Sequence, residues 1–394
     1  MTRIHSVVAV PVTYSFARHF GGADKVPPSI ASPSSHFQRI KRLGQAATFV
    51  RVTDDAGNEG FGECFGLPSP GPSAILIEEL IAPSLVGEEL HRPADLLADW
   101  RRYFITLGNT QGAAMEALSG VDIALWDLLA RRSGRSLTAT LGGKASTVPT
   151  YASPVPLVAD PAQSIGAARA FLDLGFRAVK LKIGRAEVAD DAAHIRAVRD
   201  ALPAGAALML DANCAYTLDR ARRLVDLVAG LDIAWLEEPL PPGAFAEMRE
   251  LARHSPMPIA AGENLFTIEA FTQLAEEAEV KILQPNISRA GGVSGLLAID
   301  RLAGRHGAAL SPHGVGAATS IAALLQTCAA LETFTLVEAN RLLNPLRDGF
   351  HLSFMPDADG RLRLPQGPGH GGAPDPATFA ELAGEAAAAR LWAA

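Results

Sequence analysis

An α/β barrel of parallel strands, with a smaller α+β domain in front of it, is the fold this 394-residue sequence predicts. Three observations carry that expectation. From about residue 147 a short apolar run ending in a polar residue recurs eight times, each followed by a stretch rich in Ala, Leu and Arg. The polar residues near seven of these ends are Lys182, Asp211, Glu237, Glu263, Asn286, His313 and Glu338, spaced 23 to 29 residues apart. That spacing fits one strand, one helix and two connections, the repeat of a parallel β/α fold. Before about residue 140 the pattern changes to strands first and helices afterwards.

Composition narrows the function. Hydrophobic residues make up 48% of the chain and the net charge is −7, with no basic stretch, which argues against nucleic acid as a partner. No apolar run reaches the roughly 18 residues of a membrane span, and "MTRIHSVVAVPVTYSF" reads as a strand rather than a signal peptide. Three widely spaced cysteines, Cys64, Cys214 and Cys328, suit neither a disulfide framework nor a zinc site. The expectation is a cytoplasmic protein acting on a small molecule, without nucleic-acid or membrane partners.

The elements follow in order. "ARHFGGADKVPPSIASPSSH" is rich in Gly, Pro and Ser, and long enough to be a mobile lid. "FVRVTDDAGNEGFGEC" alternates around a turn-rich centre and predicts a hairpin. Its end, "GFGECFG" at 60–66, has the wrong glycine spacing for a phosphate-binding turn. "GAAMEALSGVDIALWDLLARRSG" predicts a long amphipathic helix stopping at Gly134. The eight barrel runs are "TVPTYAS", "AVKLKIG", "ALMLDAN", "IAWLEEP", "PIAAGEN", "VKILQPN", "AALSPHG" and "FTLVEAN". Between them, Asp160, Pro161 and Gly175 mark the ends of one helix, and Thr217 and Gly230 those of another. "RLPQGPGHGGAPDP" reads as a loop without chemistry of its own.

In such barrels the active site lies at the carboxyl ends of the strands, where these polar residues fall. Asp211, Glu237 and Glu263 close three consecutive strands, and three converging carboxylates would repel one another. A divalent cation resolves this; hard oxygen ligands suit Mg²⁺, with Mn²⁺ as a substitute. Asn213 stands beside that set, while Glu238, following Glu237 directly, points away. Lys180 and Lys182 alternate with apolar residues on one strand and so share a face. Burial and mutual repulsion are expected to lower their pKa values. That makes Lys182 the general base, with Lys180 lowering its pKa and helping to hold a substrate carboxylate. His313, across the barrel, is the candidate acid, and Glu338 a candidate partner for a substrate oxygen. A metal, a base and an acid so placed fit removal of the proton α to a carboxylate.

The motifs "KLK" (180–182), "DAN" (211–213), "EEP" (237–239), "GEN" (262–264), "QPN" (284–286) and "PHG" (312–314) resemble the enolase superfamily, specifically its mandelate racemase group. "SGVDIALWDLLARRSG" (119–134) is similar to that group's N-terminal domain. The resemblance implies a modified (β/α)7β TIM-type barrel lacking its last helix, with an α+β capping domain. It divides the chain into a capping domain at 1–140, a barrel at 141–340 and a returning segment at 341–394. It also implies Mg²⁺ on Asp211, Glu237 and Glu263, a symmetric homo-oligomer, and a lid that makes His19, Phe20 and Arg39 candidate substrate contacts. One position departs from the pattern: Asn286 stands where the group carries an Asp that orients and charges the histidine. An amide oxygen there would still accept the imidazole N–H, but would leave the histidine pKa lower. The expected activity is a sugar-acid dehydratase, with His313 protonating the departing hydroxyl. A cycloisomerase opening a lactone or anhydro ring by the same chemistry follows, and racemisation or epimerisation comes third. The non-enzymatic alternative is a sugar-acid binding protein that has lost catalysis.

Overall fold

The computed structural model describes residues 2–31, 39–350, 352 and 354–393. An antiparallel sheet opens the chain: β1 (Ile4–Ser15), β2 (Gly44–Asp54) and β3 (Glu59–Cys64). The expected hairpin is β2–β3, with Thr53 opposite Glu59. Asp54 turns it, its carboxylate accepting from Ala56 N and from both the backbone and side chain of Asn58.

Helix α1 (Ala113–Arg132) packs across this sheet. The sequence predicts it as amphipathic, yet it is buried almost all round. The sheet covers one side, and the other meets the barrel. Gly60 and Gly62 permit the close approach: a Cβ at either would lie within 2.2 Å of a carbonyl oxygen of α1.

The barrel strands are β4 (Thr147–Val155), β5 (Ala178–Lys182), β6 (Ala207–Asp211), β7 (Leu236–Glu237), β8 (Ile259–Ala261), β9 (Ile282–Leu283), β10 (Ala309–Leu310) and β11 (Val337–Asn340). All eight predicted runs are strands, parallel and in sequence order from β4 to β10, with β11 on the far side of β4. The circle closes through a parallel bridge between Leu310 and Phe334. Seven helices follow the first seven strands: α2 (Pro161–Asp173), α3 (Val188–Ala201), α4 (Leu218–Val228), α5 (Phe245–His254), α6 (Ile268–Glu276), α7 (Gly292–His306) and α8 (Ala318–Cys328). The start of α2 is as predicted: Asp160 accepts from Ala162 N at 2.9 Å, and Pro161 takes the first turn. Tyr151, Ala178, Met209, Trp235 and Ala260 fill the barrel floor beneath the strand ends.

After β11 no long helix follows among the described residues. Strand β12 (Arg361–Arg363) instead adds antiparallel to β4, and the chain returns to the first sheet. Phe379 packs edge-on against Phe49, and Arg51 Nη1 donates to the carbonyls of Leu391 and Ala393. The loop around His370 is structural: its backbone N–H donates to Asp127, and its ring meets the Phe61 carbonyl at 2.9 Å. No helix among the described residues is long and apolar enough to cross a membrane.

Asp122 of α1, buried at the seam, accepts from Ser294 N at the start of α7. Burial raises its carboxyl from 3.8 to about 7. The native state therefore keeps a proton that the unfolded chain releases. This contribution is complete below the unfolded value and is lost as pH rises to about 7. The Asp122 contribution should fall by about 1.4 kcal/mol per pH unit across that window. Urea midpoints measured between pH 4.5 and 7.5 should show a shallower slope for Asp122→Asn than for the parent chain.

Candidate active site

Strand β5 places Lys180 and Lys182 on one face, as alternation requires. Both Nζ atoms approach Asp211 Oδ2, Lys182 at 2.5 Å and Lys180 at 3.3 Å. Lys182 also donates to Asn213 Oδ1 at 2.7 Å, and its side chain is 27% exposed. Asn213 itself has a left-handed φ of 42°, a conformation Asn tolerates, with its N–H on Asp211 Oδ1. Its side-chain oxygen accepts from Lys182 and so aims that amine.

Lys180 lies deeper than Lys182 on the same face. It is 1% exposed and surrounded by Glu237 (2.5 Å), Asp211 (3.3 Å) and Glu338 (3.3 Å). Three carboxylates engage its ammonium, so Lys180 is not an isolated buried charge. Nor are the lysine pKa values lowered. Burial pulls Lys182 down and Lys180 does the same, but Asp211 and Glu263 together outweigh both, and the net direction is upward. Lys180 is driven well above its ordinary value, burial being overcome by Glu237 and Glu338.

One oxygen each of Asp211, Glu237 and Glu263 lie within 4.8 Å of one another. Burial raises Glu237 to about 8, Asp211 and Glu263 reinforcing it against Lys180. Burial and Asp211 also raise Glu263. Asp211 goes the other way: burial is outweighed by Lys182 and Lys180, which hold it low. Were all four carboxylates (these three and Glu338) ionised, as metal ligands would be, they would face two ammonium groups. The excess of two negative charges is what one divalent cation neutralises, so the donor set fits such an ion. Glu238 turns away as expected, towards Asn264 Nδ2 at 3.0 Å.

His313 follows β10, and its orientation is set by Asn286. The Asn286 Oδ1 accepts from Ser288 N at 2.8 Å, while Nδ2 donates to the Val315 carbonyl at 3.0 Å. These two backbone partners fix which end of the amide is which. The same Nδ2 lies 2.9 Å from His313 Nδ1. The ring nitrogen must therefore accept, and the proton of the neutral imidazole sits on Nε2. That proton faces Glu263 at 3.3 Å and Glu338 at 3.7 Å. The sequence expectation of an amide oxygen accepting from the ring is thus reversed. A protonated ring would point a second N–H at the Asn286 N–H₂ group. Burial already lowers His313 to about 4.

Glu338, suggested as a substrate contact, is 4% exposed and accepts from Gly314 N at 3.1 Å while facing Lys180. His19 packs edge-on against Phe20, and Arg39 is exposed. No hydrogen bond, ion pair or ring contact among the described residues links these three to the strand-end set. Residues 32–38 of the expected lid lie outside the described residues.

Two further residues hold Glu237. Gln284 Nε2 and Trp235 Nε1 donate to its Oε2 at 2.6 and 3.2 Å. Their signal was present in the sequence: Trp235 is two before Glu237 and Gln284 two before Asn286, the spacing at which extended chain returns to the same side. Arg289 carried no such signal. It stacks 3.7 Å from the Phe65 ring centre and donates to the Glu263 carbonyl and Asn264 Oδ1.

Residues 27–142 match the family model for the mandelate racemase / muconate lactonizing enzyme N-terminal domain, and residues 164–378 that for the enolase C-terminal domain-like fold. The D-galactarolactone cycloisomerase of Agrobacterium fabrum is 32% identical over 357 residues, covering 86% of this chain and 90% of that one. The 3,6-anhydro-α-L-galactonate cycloisomerase of Streptomyces coelicolor is 31% identical over 328 residues, covering 82% and 87%. The crystal structure of an L-talarate dehydratase from Polaromonas sp., complexed with Mg and L-glucarate, superposes with a TM-score of 0.81 at 27% identity, covering 95% and 96%.

Proposed function

The chain belongs to the mandelate racemase / muconate lactonizing enzyme family of the enolase superfamily, and from that premise we propose that it is a metal-dependent cycloisomerase opening a sugar-acid lactone by β-elimination. The observation that carries this reading is the Asn286 amide nitrogen on His313 Nδ1.

Lys182 takes the α-proton of the substrate. The electron pair left behind forms the α,β double bond and expels the ring oxygen from the β carbon. The resulting enol ketonises to a 3-deoxy-2-keto acid. Asp211, Glu237 and Glu263 would hold a divalent cation such as Mg²⁺, which would supply positive charge to the substrate carboxylate and would share Asp211 with Lys182, favouring the neutral amine that Lys182 needs as a base. His313 presents an N–H and no lone pair from Nε2. It donates a hydrogen bond, but it is neither a second base nor a ready proton source.

Leaving-group chemistry then decides between reactions. Dehydration, which the sequence favoured, expels hydroxide, whose conjugate acid has a pKa of about 15.7 and which needs a proton as it departs. A ring-opened lactone departs as a carboxylate, with a conjugate acid near ~4, and needs none. Anhydro-ring opening expels an alkoxide and shares the difficulty of dehydration. Racemisation by two bases lacks its second base.

The test is proton NMR in D₂O with Mg²⁺, offering aldarolactones, anhydro acids and open-chain sugar acids in separate pools. Conversion of a lactone to a 3-deoxy-2-keto dicarboxylate, stopped by EDTA, is the expected result. Consumption of open-chain acids with lactones untouched would overturn ring opening in favour of dehydration.

A further inference from the structure

The stretch "GFGECFG" at 60–66 plays no part in the chemistry above, yet its alternation is strict. Gly60, Gly62 and Cys64 face α1, where Cys64 joins the core of the small domain. Glu63 and Phe65 face the other way, into the barrel.

Glu63 is 0% exposed. Its Oε1 accepts from Ala317 N at 2.6 Å and from Ser320 Oγ at 2.9 Å, and its Oε2 accepts from Ser320 N at 2.9 Å. Those donors form the start of α8, so a carboxylate of the small domain caps a barrel helix from outside. The residues immediately before the helix are "HGVGA" at 313–317, the loop that carries His313. That loop has little slack. A Cβ at Gly314 would lie 1.8 Å from the Glu338 carbonyl, and one at Gly316 would lie 2.1 Å from Ser320 Oγ and 3.2 Å from Glu63 Oε1. The Gly316 carbonyl is pinned by Asn344 Nδ2, and the Val315 carbonyl by the amide of Asn286 that orients the imidazole. Phe65 meets the His313 ring itself, with centroids 6.4 Å apart.

From this geometry we propose that Glu63 is a positioning residue for His313. By fixing the start of α8 it keeps the Val315 carbonyl where Asn286 needs it, and so keeps the Nε2–H form of the histidine pointing into the site. The proposal deepens the reading of His313 given above and rests on it for its functional meaning. The placement itself can be tested without any substrate.

The experiment is long-range ¹H–¹⁵N NMR of the imidazoles in the full chain, comparing the parent with Glu63→Gln. The parent should show a protonated Nε2 and a bare, hydrogen-bonded Nδ1 at His313. In Glu63→Gln the two nitrogen resonances should move towards each other, the mark of mixed tautomers. His370 is the control: it is buried at the same seam and bonded to the Phe61 carbonyl, and it should stay put. Were Glu63 merely glue between domains, both histidines would move together, and that result would overturn the proposal. So would a folded variant in which His313 is unchanged. Should Glu63→Gln not fold, Ser320→Ala, which removes one of the three bonds and leaves the carboxylate capped, decides the matter by the same shift. If no lactone is turned over while the shift appears, the reaction assignment fails and the positioning role stands.

Discussion

Replacing Lys182 with methionine should lower kcat by about 10²–10⁴-fold, the range that a positioned acid–base group supplies. The fold should survive. Asp211 keeps Lys180 at 3.3 Å and the Asn213 N–H at 3.0 Å, so its buried charge is not left alone. Circular dichroism should match the parent, and titration calorimetry should still register Mg²⁺ binding. The decisive reading is α-proton washout in D₂O, which should vanish together with turnover. If washout persisted at the parental rate, another group would be taking the proton.

The second large effect is expected from Asn286→Asp. The new side chain can still accept from Ser288 N, but it presents an oxygen instead of an N–H₂ group to His313 Nδ1. The ring should move its proton to Nδ1, leaving a lone pair on Nε2, and its pKa should climb from about 4 towards the ordinary histidine range. The cost is an oxygen facing the Val315 carbonyl, which the amide now satisfies. Two consequences separate the readings of this site. Lactone opening should change little, because its leaving group asks for no proton. Exchange at the α carbon from the opposite face, seen as an epimerised substrate, should appear where the parent shows none. A variant that instead gained only dehydration of open-chain acids would mark His313 as an acid waiting for its carboxylate.

The residues legible in the sequence are those whose places the backbone dictates. Strand alternation put Lys180 and Lys182 on one face, and a repeat near 26 residues put Asp211, Glu237 and Glu263 at neighbouring strand ends. What escaped depends on contacts between distant segments. The direction of the Asn286 amide is set by Ser288 N and the Val315 carbonyl, groups that no side-chain pattern encodes. The upward shift of Lys182 reflects how close Asp211 comes, a distance rather than a spacing. Glu63 and Arg289 gain their meaning only where the small domain meets the barrel. The same meeting buries α1 on both sides, although its apolar positions suggested a helix with one wet face.

The closing of the chain on its own beginning has a consequence for how the protein is made. β1 and β2 leave the ribosome long before Phe379, Leu391 and Ala393, which cover and bind them. The first sheet must therefore wait, partly uncovered, while the whole barrel emerges. Contacts of such long sequence separation fold slowly, and an uncovered sheet is open to misassociation in the meantime. A stop codon just before Phe379 would spare every group at the strand ends. It would nevertheless strand the nascent chain in that waiting state, and the expected yield from cells is insoluble protein rather than a weakened enzyme.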